Sequence, residues 1–284
     1  MMRTWCNGRS VRTDVWRDRG LQYGDGLFET MRVHDHRIAL LDDHLRRLAR
    51  GCRRLGLPVP GPDLDHELLR AAGIWPHAVV KLILTRGPGA RGYRVPLPSH
   101  PSRIVQCEPL KVPPPTRAGA VRVRLCRVRI TENPALAGLK TLNRLDSVLA
   151  RREWRDARIA EGLMRDHRDD IVCGTMTNIF IARRGRLLTP VLDRAGVAGV
   201  MREWVIRTAR RGGIDVQVGR LSMRRLIAAD EIFLTNAVIG IWPVRAVTMG
   251  SRCIHPASQT IARRLQDELA RFRCRAIGSM RGRS

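Results

Sequence analysis

The chain has 284 residues and a formal net charge of +26, with 44% hydrophobic and 4% aromatic residues. That length buries a sizeable core in one or two domains, and no apolar run reaches the roughly 18 residues that cross a bilayer, so no membrane partner is expected. Seven cysteines (Cys6, Cys52, Cys107, Cys126, Cys173, Cys253, Cys274) show no CxxC and no ligand-like spacing, which argues against a disulfide framework or a metal site.

The positive charge is spread along the whole chain. Only two tyrosines and four phenylalanines are available as stacking platforms. Weak phosphate attraction is therefore expected and a specific nucleic-acid partner is not. The N-terminus, "MMRTWCNGRSVRTDVW", has no apolar core of the signal-peptide type, which points to the cytoplasm.

Leu41, His44, Leu45, Leu48, Cys52 and Leu55 recur at helical spacing, and Gly56 and Pro58 end that helix. "HAVVKLILTRG" reads as a buried strand running into a glycine-rich turn. "KVPPPTRAG", Lys111 to Gly119, is the best linker. "AVRVRLCRVRI" alternates apolar residues with arginine, the pattern of a strand with one wet face. The pattern from Leu142 to about Ala160 is helical. "NIFIARRGRLLTP" reads as a hairpin turning at Arg184-Gly185, Gly199 to Arg211 as a helix, "EIFLTNA" as a strand and Ser258 to Phe272 as a last amphipathic helix. The closing "RCRAIGSMRGRS" reads as a frayed basic tail. Mixed strands and helices on both sides of the prolines imply an α/β (α+β) protein of two domains with a cleft between them. A smaller N-terminal domain would span 1–110, the linker 111–119 and a larger domain 120–284.

"GPGARG" (Gly87 to Gly92) matches the dinucleotide pattern G-x-G-x-x-G, but "YRVPLPSHP" follows it and no helix can start there. "GLKT" lacks the glycine-rich turn of a phosphate loop. No H-E-x-x-H, G-x-S-x-G or paired-carboxylate arrangement is present. The sharper signal is a scarcity: of 52 basic residues only Lys81, Lys111 and Lys140 are lysine. Spacing alone reads Lys140 as a surface or helix-start residue. Two features weigh against that. Arginine cannot usefully lose its proton, whereas a desolvated lysine amine can act as nucleophile or base. Leu139, Leu142 and Leu145 beside it also make a partly buried amine plausible.

Seven blocks in order carry a resemblance: "DRGLQYGDGLFETMRV", "HLRRL", "LTRGPGARGY", "LAGLKTLNRL", "GTMTNIF", "LDRAGVAGVMR" and "ADEIFLTNAVIGIWPV". Together, over about residues 15 to 245, they resemble the fold-type IV pyridoxal-phosphate enzymes. That group holds branched-chain and D-amino acid aminotransferases. The arginine-glycine-tyrosine loop and "LAGLKTLNRL" point within it to its aminodeoxychorismate lyases.

The resemblance implies that the cofactor, pyridoxal 5'-phosphate, sits in the interdomain cleft of a homodimer. It makes Lys140 the lysine that carries the cofactor and then serves as the base. It makes Arg47 the phosphate ligand, a role suited to a bidentate guanidinium. Backbone amides near Val200 and Met201, at a helix start, would add phosphate donors, as would the turn at Asn236 and Ala237. The implied substrate is 4-amino-4-deoxychorismate and the products are p-aminobenzoate and pyruvate. Arg91 and Tyr93 are candidate anchors for its carboxylates. The pattern is broken at one position: Cys173 stands where the group carries a glutamate against the pyridine nitrogen. Two rivals remain open. One is a D-amino acid or branched-chain-type aminotransferase. The other is a basic binding protein with a degenerate cofactor site.

Overall fold

The computed structural model describes residues 5–6, 9–10, 15–110 and 119–278, with side chains described over 15–110 and 119–273. The expected linker lies outside these residues except for Gly119, and Lys111 lies outside with it.

The N-terminal half begins with a short pair, β1 (Trp5–Cys6) and β2 (Arg9–Ser10), then α1 (Arg19–Tyr23). Next come β3 (Gly26–His34), β4 (Arg37–Ile38), α2 (Leu41–Leu55), α3 (Pro62–Gly73), β5 (His77–Thr85) and β6 (Ser102–Pro109). Four of these strands form an antiparallel sheet in the order β4-β3-β5-β6. α2 has the bounds its spacing predicted. Its Leu48 and Cys52 pack with Leu64 and Leu68 of α3 against Met31, Val33, Val80 and Leu82 of the sheet. Gly56 ends α2 in the left-handed region, its N–H bonding the carbonyls of Arg53 and Cys52.

The second half contains β7 (Val121–Arg129), α4 (Leu145–Arg151), β8 (Ile159–Arg165), β9 (Ile171–Gly174), β10 (Asn178–Arg183) and β11 (Arg186–Pro190). α5 (Val200–Arg211), β12 (Val216–Gly219), α6 (Met223–Ile227), β13 (Glu231–Asn236), β14 (Gly240–Met249), β15 (Arg252–Ile254) and α7 (Thr260–Gly278) follow. Their nine strands make one mixed sheet, β12-β11-β10-β13-β14-β7-β8-β9, with β15 on β14. The sheet curls. β9 stands at its far edge, yet its Gly174 N–H bonds Thr177 O just ahead of β10 at 2.8 Å. The β10–β11 hairpin turns at Arg184 (φ 50°) and Gly185 (φ 77°), the two positive φ values of a tight two-residue turn.

Three elements differ from expectation. The helical pattern of 142–160 yields only α4. Beyond it the Glu153 carboxylate binds the N–H groups of Arg127 and Val128, and the Trp154 indole donates to Ile159 O, so the chain turns into β8. Tertiary contacts outweigh helix propensity there. The arginine face of β7 is not uniformly wet: Arg122 and Arg124 are half-buried, whereas Arg127 and Arg129 are exposed. Arg124 is covered by Trp154 and paired with Glu153. The last helix continues through Gly278, so part of the expected frayed tail is helical.

Candidate active site

The segment around Lys140 is not a helix start. It is an extended crossing tied to β3 of the small sheet and to the loop that leads into α5. On one side Phe28 N–H bonds Lys140 O at 3.0 Å and Leu142 N–H bonds Gly26 O at 3.1 Å. On the other, Gly138 N–H bonds Gly196 O and Ala198 N–H bonds Gly138 O. Backbone pairing thus fixes Lys140 at the junction, on the wall of a cavity of about 500 Å³.

The Lys140 amine stands 4.1 Å from the centre of the Phe28 ring. Burial, and after it the Arg47 charge, push its pKa down to about 7, although Glu29 acts in the opposite sense. Desolvation thus brings the unprotonated amine, the form that attacks a carbonyl or takes a proton, within reach of neutral pH. The expected apolar neighbours contribute unevenly: Leu139 is buried and Leu145 faces outward. Phe28 supplies the low-polarity face. Lys81 lies on β5 with its amine 5.9 Å from the same ring, and its charge adds to the depression at Lys140.

Arg47 is buried and lines the cavity. Its Nε donates to Glu29 Oε1 at 2.8 Å, Nη2 bonds Glu29 Oε2, and Nη1 donates to Ala198 O at 3.1 Å. His44 Nδ1 lies 2.6 Å from Glu29 Oε2. Burial opposes ionisation of Glu29, but the Arg47 charge and the hydrogen bonds from Arg47 and His44 override it and hold the carboxyl down to about 2. Glu29 is therefore an ionised clamp that aims Arg47.

Val200 and Met201 open α5 on the cavity wall, where first-turn N–H groups have no partner within the helix and attract anions. Gly199 before them lies so close to Asn178 Oδ1 that an added Cβ would stand 2.1 Å away. Asn236 and Ala237 also line the cavity, but the Asn236 side chain is committed to its own turn. Its Oδ1 accepts from the N–H groups of Val238 (2.8 Å) and Ile239 (2.9 Å). Neighbouring Thr235 presents a buried hydroxyl with no hydrogen-bond partner.

Cys173, next to last in β9, stands on the same wall. Burial, and then the nearby Glu161 carboxylate, push its thiol up to about 12, so it is neutral. Glu161 is fully buried and accepts from the backbone of Gly162, Thr175 and Met176 and from the Thr175 and Thr177 hydroxyls. It shapes the turn beside Cys173. Arg91 and Tyr93 are not brought into this cavity. Both are exposed, and their loop packs on α1: Arg19 donates to Gly92 O and Tyr93 O, and the Tyr23 and Tyr93 rings stand 5.4 Å apart.

A depressed-pKa amine, a clamped guanidinium, a helix N-terminus and an orphaned hydroxyl share one cavity. These residues fit a phosphorylated aldehyde such as pyridoxal phosphate: an amine for the carbonyl, and cationic and amide donors for the phosphate. Reasoning from the sequence missed Phe28, Glu29, His44, Glu161 and Thr235. Glu29 lies inside a recognised block, but the partners that give it meaning come from a different stretch of the chain.

The chain belongs to the amino-transferase class IV family, whose model matches residues 26–247 and whose members are pyridoxal-phosphate enzymes. It is 44% identical to the crystal structure of 4-amino-4-deoxychorismate lyase from Pseudomonas aeruginosa, with a TM-score of 0.83 over 93% of this chain and 97% of that one. It is 29% identical to an aminodeoxychorismate lyase of Vibrio harveyi over 93% of this chain and 98% of the relative. It is 33% identical to a putative branched-chain-amino-acid aminotransferase of Methanocaldococcus jannaschii, covering 86% and 87%.

Arg47→Ala tests the phosphate assignment. Losing a charge-assisted contact of about 1.5–3 kcal/mol should weaken cofactor affinity roughly 10- to 150-fold. Equilibrium dialysis of the cofactor measures this, and unchanged affinity makes Arg47 a purely structural partner of Glu29.

Proposed function

We propose that this protein is a pyridoxal-phosphate-dependent lyase that converts 4-amino-4-deoxychorismate to p-aminobenzoate and pyruvate, in folate synthesis. The observation that carries the reading is the buried Lys140 amine, its pKa pushed down to about 7, on the wall of one cavity with Arg47 and the first residues of α5. The relationship to the Pseudomonas aeruginosa lyase supports the choice of substrate.

When bound, the cofactor supplies the electron sink. The chain supplies position and proton transfer. Arg47 and the α5 amides hold the phosphate, and the Thr235 hydroxyl offers a further polar contact. The neutral Lys140 amine takes the proton from the ring carbon that bears the substrate amine. The C–O bond to the neighbouring enolpyruvyl ether then breaks, the ring becomes aromatic, and the released enolpyruvate takes up a proton to become pyruvate. Incubation with aminodeoxychorismate should release p-aminobenzoate, resolved by chromatography. Keto acid formation from an amino acid and 2-oxoglutarate, with no p-aminobenzoate, would instead establish an aminotransferase, the reading favoured by the Methanocaldococcus relative.

The working form in this reading is a cytoplasmic homodimer whose two domains divide within 111–119. Leu145, Val148 and Leu149 expose an apolar face on α4, with exposed Met176 nearby in the cavity wall. A second copy seated there would cover that face. Arg91 and Tyr93 lie outside the Lys140 cavity of their own chain, so they anchor substrate only where a second copy presents their loop.

Cys173 steers the chemistry in this proposal. A carboxylate at that position favours a protonated pyridine nitrogen by about 1–3 pKa units, each worth about 1.36 kcal/mol, and so strengthens the sink that amino transfer needs. Elimination has aromatisation as its own driving force. Cys173→Glu should therefore raise alanine-dependent amino transfer more than lyase turnover. Equal changes in the two rates would make Cys173 a packing substitution.

A further inference from the structure

A second cleft of about 720 Å³ lies between the β3–β4 hairpin and the start of α2 on one side and α5 and α7 on the other. It shares no lining residue with the cavity that holds Lys140. Its walls combine apolar and aromatic groups with a concentration of cations. Ile38, Leu40, Trp204 and Phe272 supply the first, with the Trp204 and Phe272 ring centres 6.1 Å apart. Arg37, Arg46, Arg207, Arg211 and Arg273 supply the second.

The wall also carries two acids, Asp42 and Asp43. Asp43 is held by Arg46 at 2.6 Å and by both terminal nitrogens of Arg207 at 3.1 and 2.8 Å. Arg273 is the telling residue. Its Nε and Nη2 are buried with no hydrogen-bond partner. Burial, and then the charge of Arg32, push its pKa down to about 10. Arg32 is itself buried with an unpartnered Nε, its Nη1 donating to Val238 O at 3.2 Å. His34, also on the wall, has an unpartnered Nδ1.

A desolvated guanidinium on the wall at Arg273, with a second close by at Arg32 and no carboxylate bonded to either among the described residues, is costly to fold around, because buried charges are ordinarily paired. The cost is recovered when an anion enters. The apolar walls define the rest of the ligand: a bare inorganic anion leaves Ile38, Trp204 and Phe272 uncovered, whereas an aromatic ring packs against them. We propose that this cleft is a binding site for a small aromatic carboxylate, the ring lying among Ile38, Trp204 and Phe272 and the carboxylate turned toward Arg273 and His34.

The test uses the cofactor-loaded protein, benzoate as probe and benzamide as its neutral isostere, read by titration calorimetry. Benzoate should bind saturably and benzamide at least tenfold more weakly. Arg273→Gln should weaken benzoate at least tenfold. Arg211→Gln, on the exposed rim, should weaken it severalfold without disturbing α7. Arg183→Gln, an exposed arginine that lines neither cavity, should leave it unchanged. Equal binding of benzamide, no saturable binding of benzoate, or a loss caused by Arg183→Gln and not by Arg273→Gln would each overturn the proposal. The benzamide comparison is made on the unmutated protein, so it stands even where a variant folds poorly.

Discussion

Lys140→Ala is expected to abolish the visible absorbance band of bound cofactor and to lower lyase turnover by at least about 10²–10⁴-fold, the range a positioned acid–base group contributes. No other described lysine occupies this cavity wall. Lys81 approaches the same Phe28 ring but is exposed. Lys140→Arg should fail equally, because a guanidinium stays protonated at working pH. The depressed pKa gives a second signature. The ordinary value of 10.5 falls to about 7, so the neutral amine is present above pH 7 and lost below it. The rate at which cofactor-free protein captures pyridoxal phosphate should therefore rise with pH through a midpoint near 7 and level off above. Borohydride reduction followed by peptide mass analysis locates the modified residue. Cofactor trapped on Lys81 in the Lys140→Ala protein, or a midpoint near 10, would sink the assignment.

Much of this site was legible because its key groups sit in short local blocks. Lys140, Arg47, Cys173, Val200, Met201, Asn236 and Ala237 all reach one cavity, although they come from five separate stretches. Resemblance supplied that convergence; periodicity alone would have left Lys140 on a surface. What stayed hidden depends on long-range pairing. Glu29 and Arg47 are 18 residues apart and meet only because β3 and α2 pack together. Glu161 faces the 175–177 turn only after β8 and β9 pair. The helical pattern of 142–160 misled for the same reason: Glu153 and Trp154 serve β7 and β8 rather than a helix. Arg91 and Tyr93 carried a recognisable motif, but a motif fixes residue types and not the direction in which a loop is held.

The second large effect is expected at Glu29. Glu29→Ala leaves Arg47 buried with no carboxylate and His44 without its partner, and breaking one side of a buried pair costs about 3–5 kcal/mol. The pKa gives a similar size. A fall from 4.5 to about 2 is worth about 3 kcal/mol at 1.36 kcal/mol per unit. At about 2–4 °C per kcal/mol the melting temperature should drop by on the order of 10 °C. The sign of the pH dependence follows from the lowered value. The stabilisation is complete above the unfolded pKa of 4.5 and is lost as pH falls toward about 2. The gap between wild type and Glu29→Ala should therefore be constant above about pH 5 and narrow on acidification. Thermal melts across that range measure it. Removing the stranded charge as well should recover part of the loss, so the Glu29→Ala, Arg47→Ala double variant should melt higher than the sum of the single effects. Strict additivity, or a gap that does not change with pH, would show that Glu29 is not the ionised clamp that holds Arg47 in place.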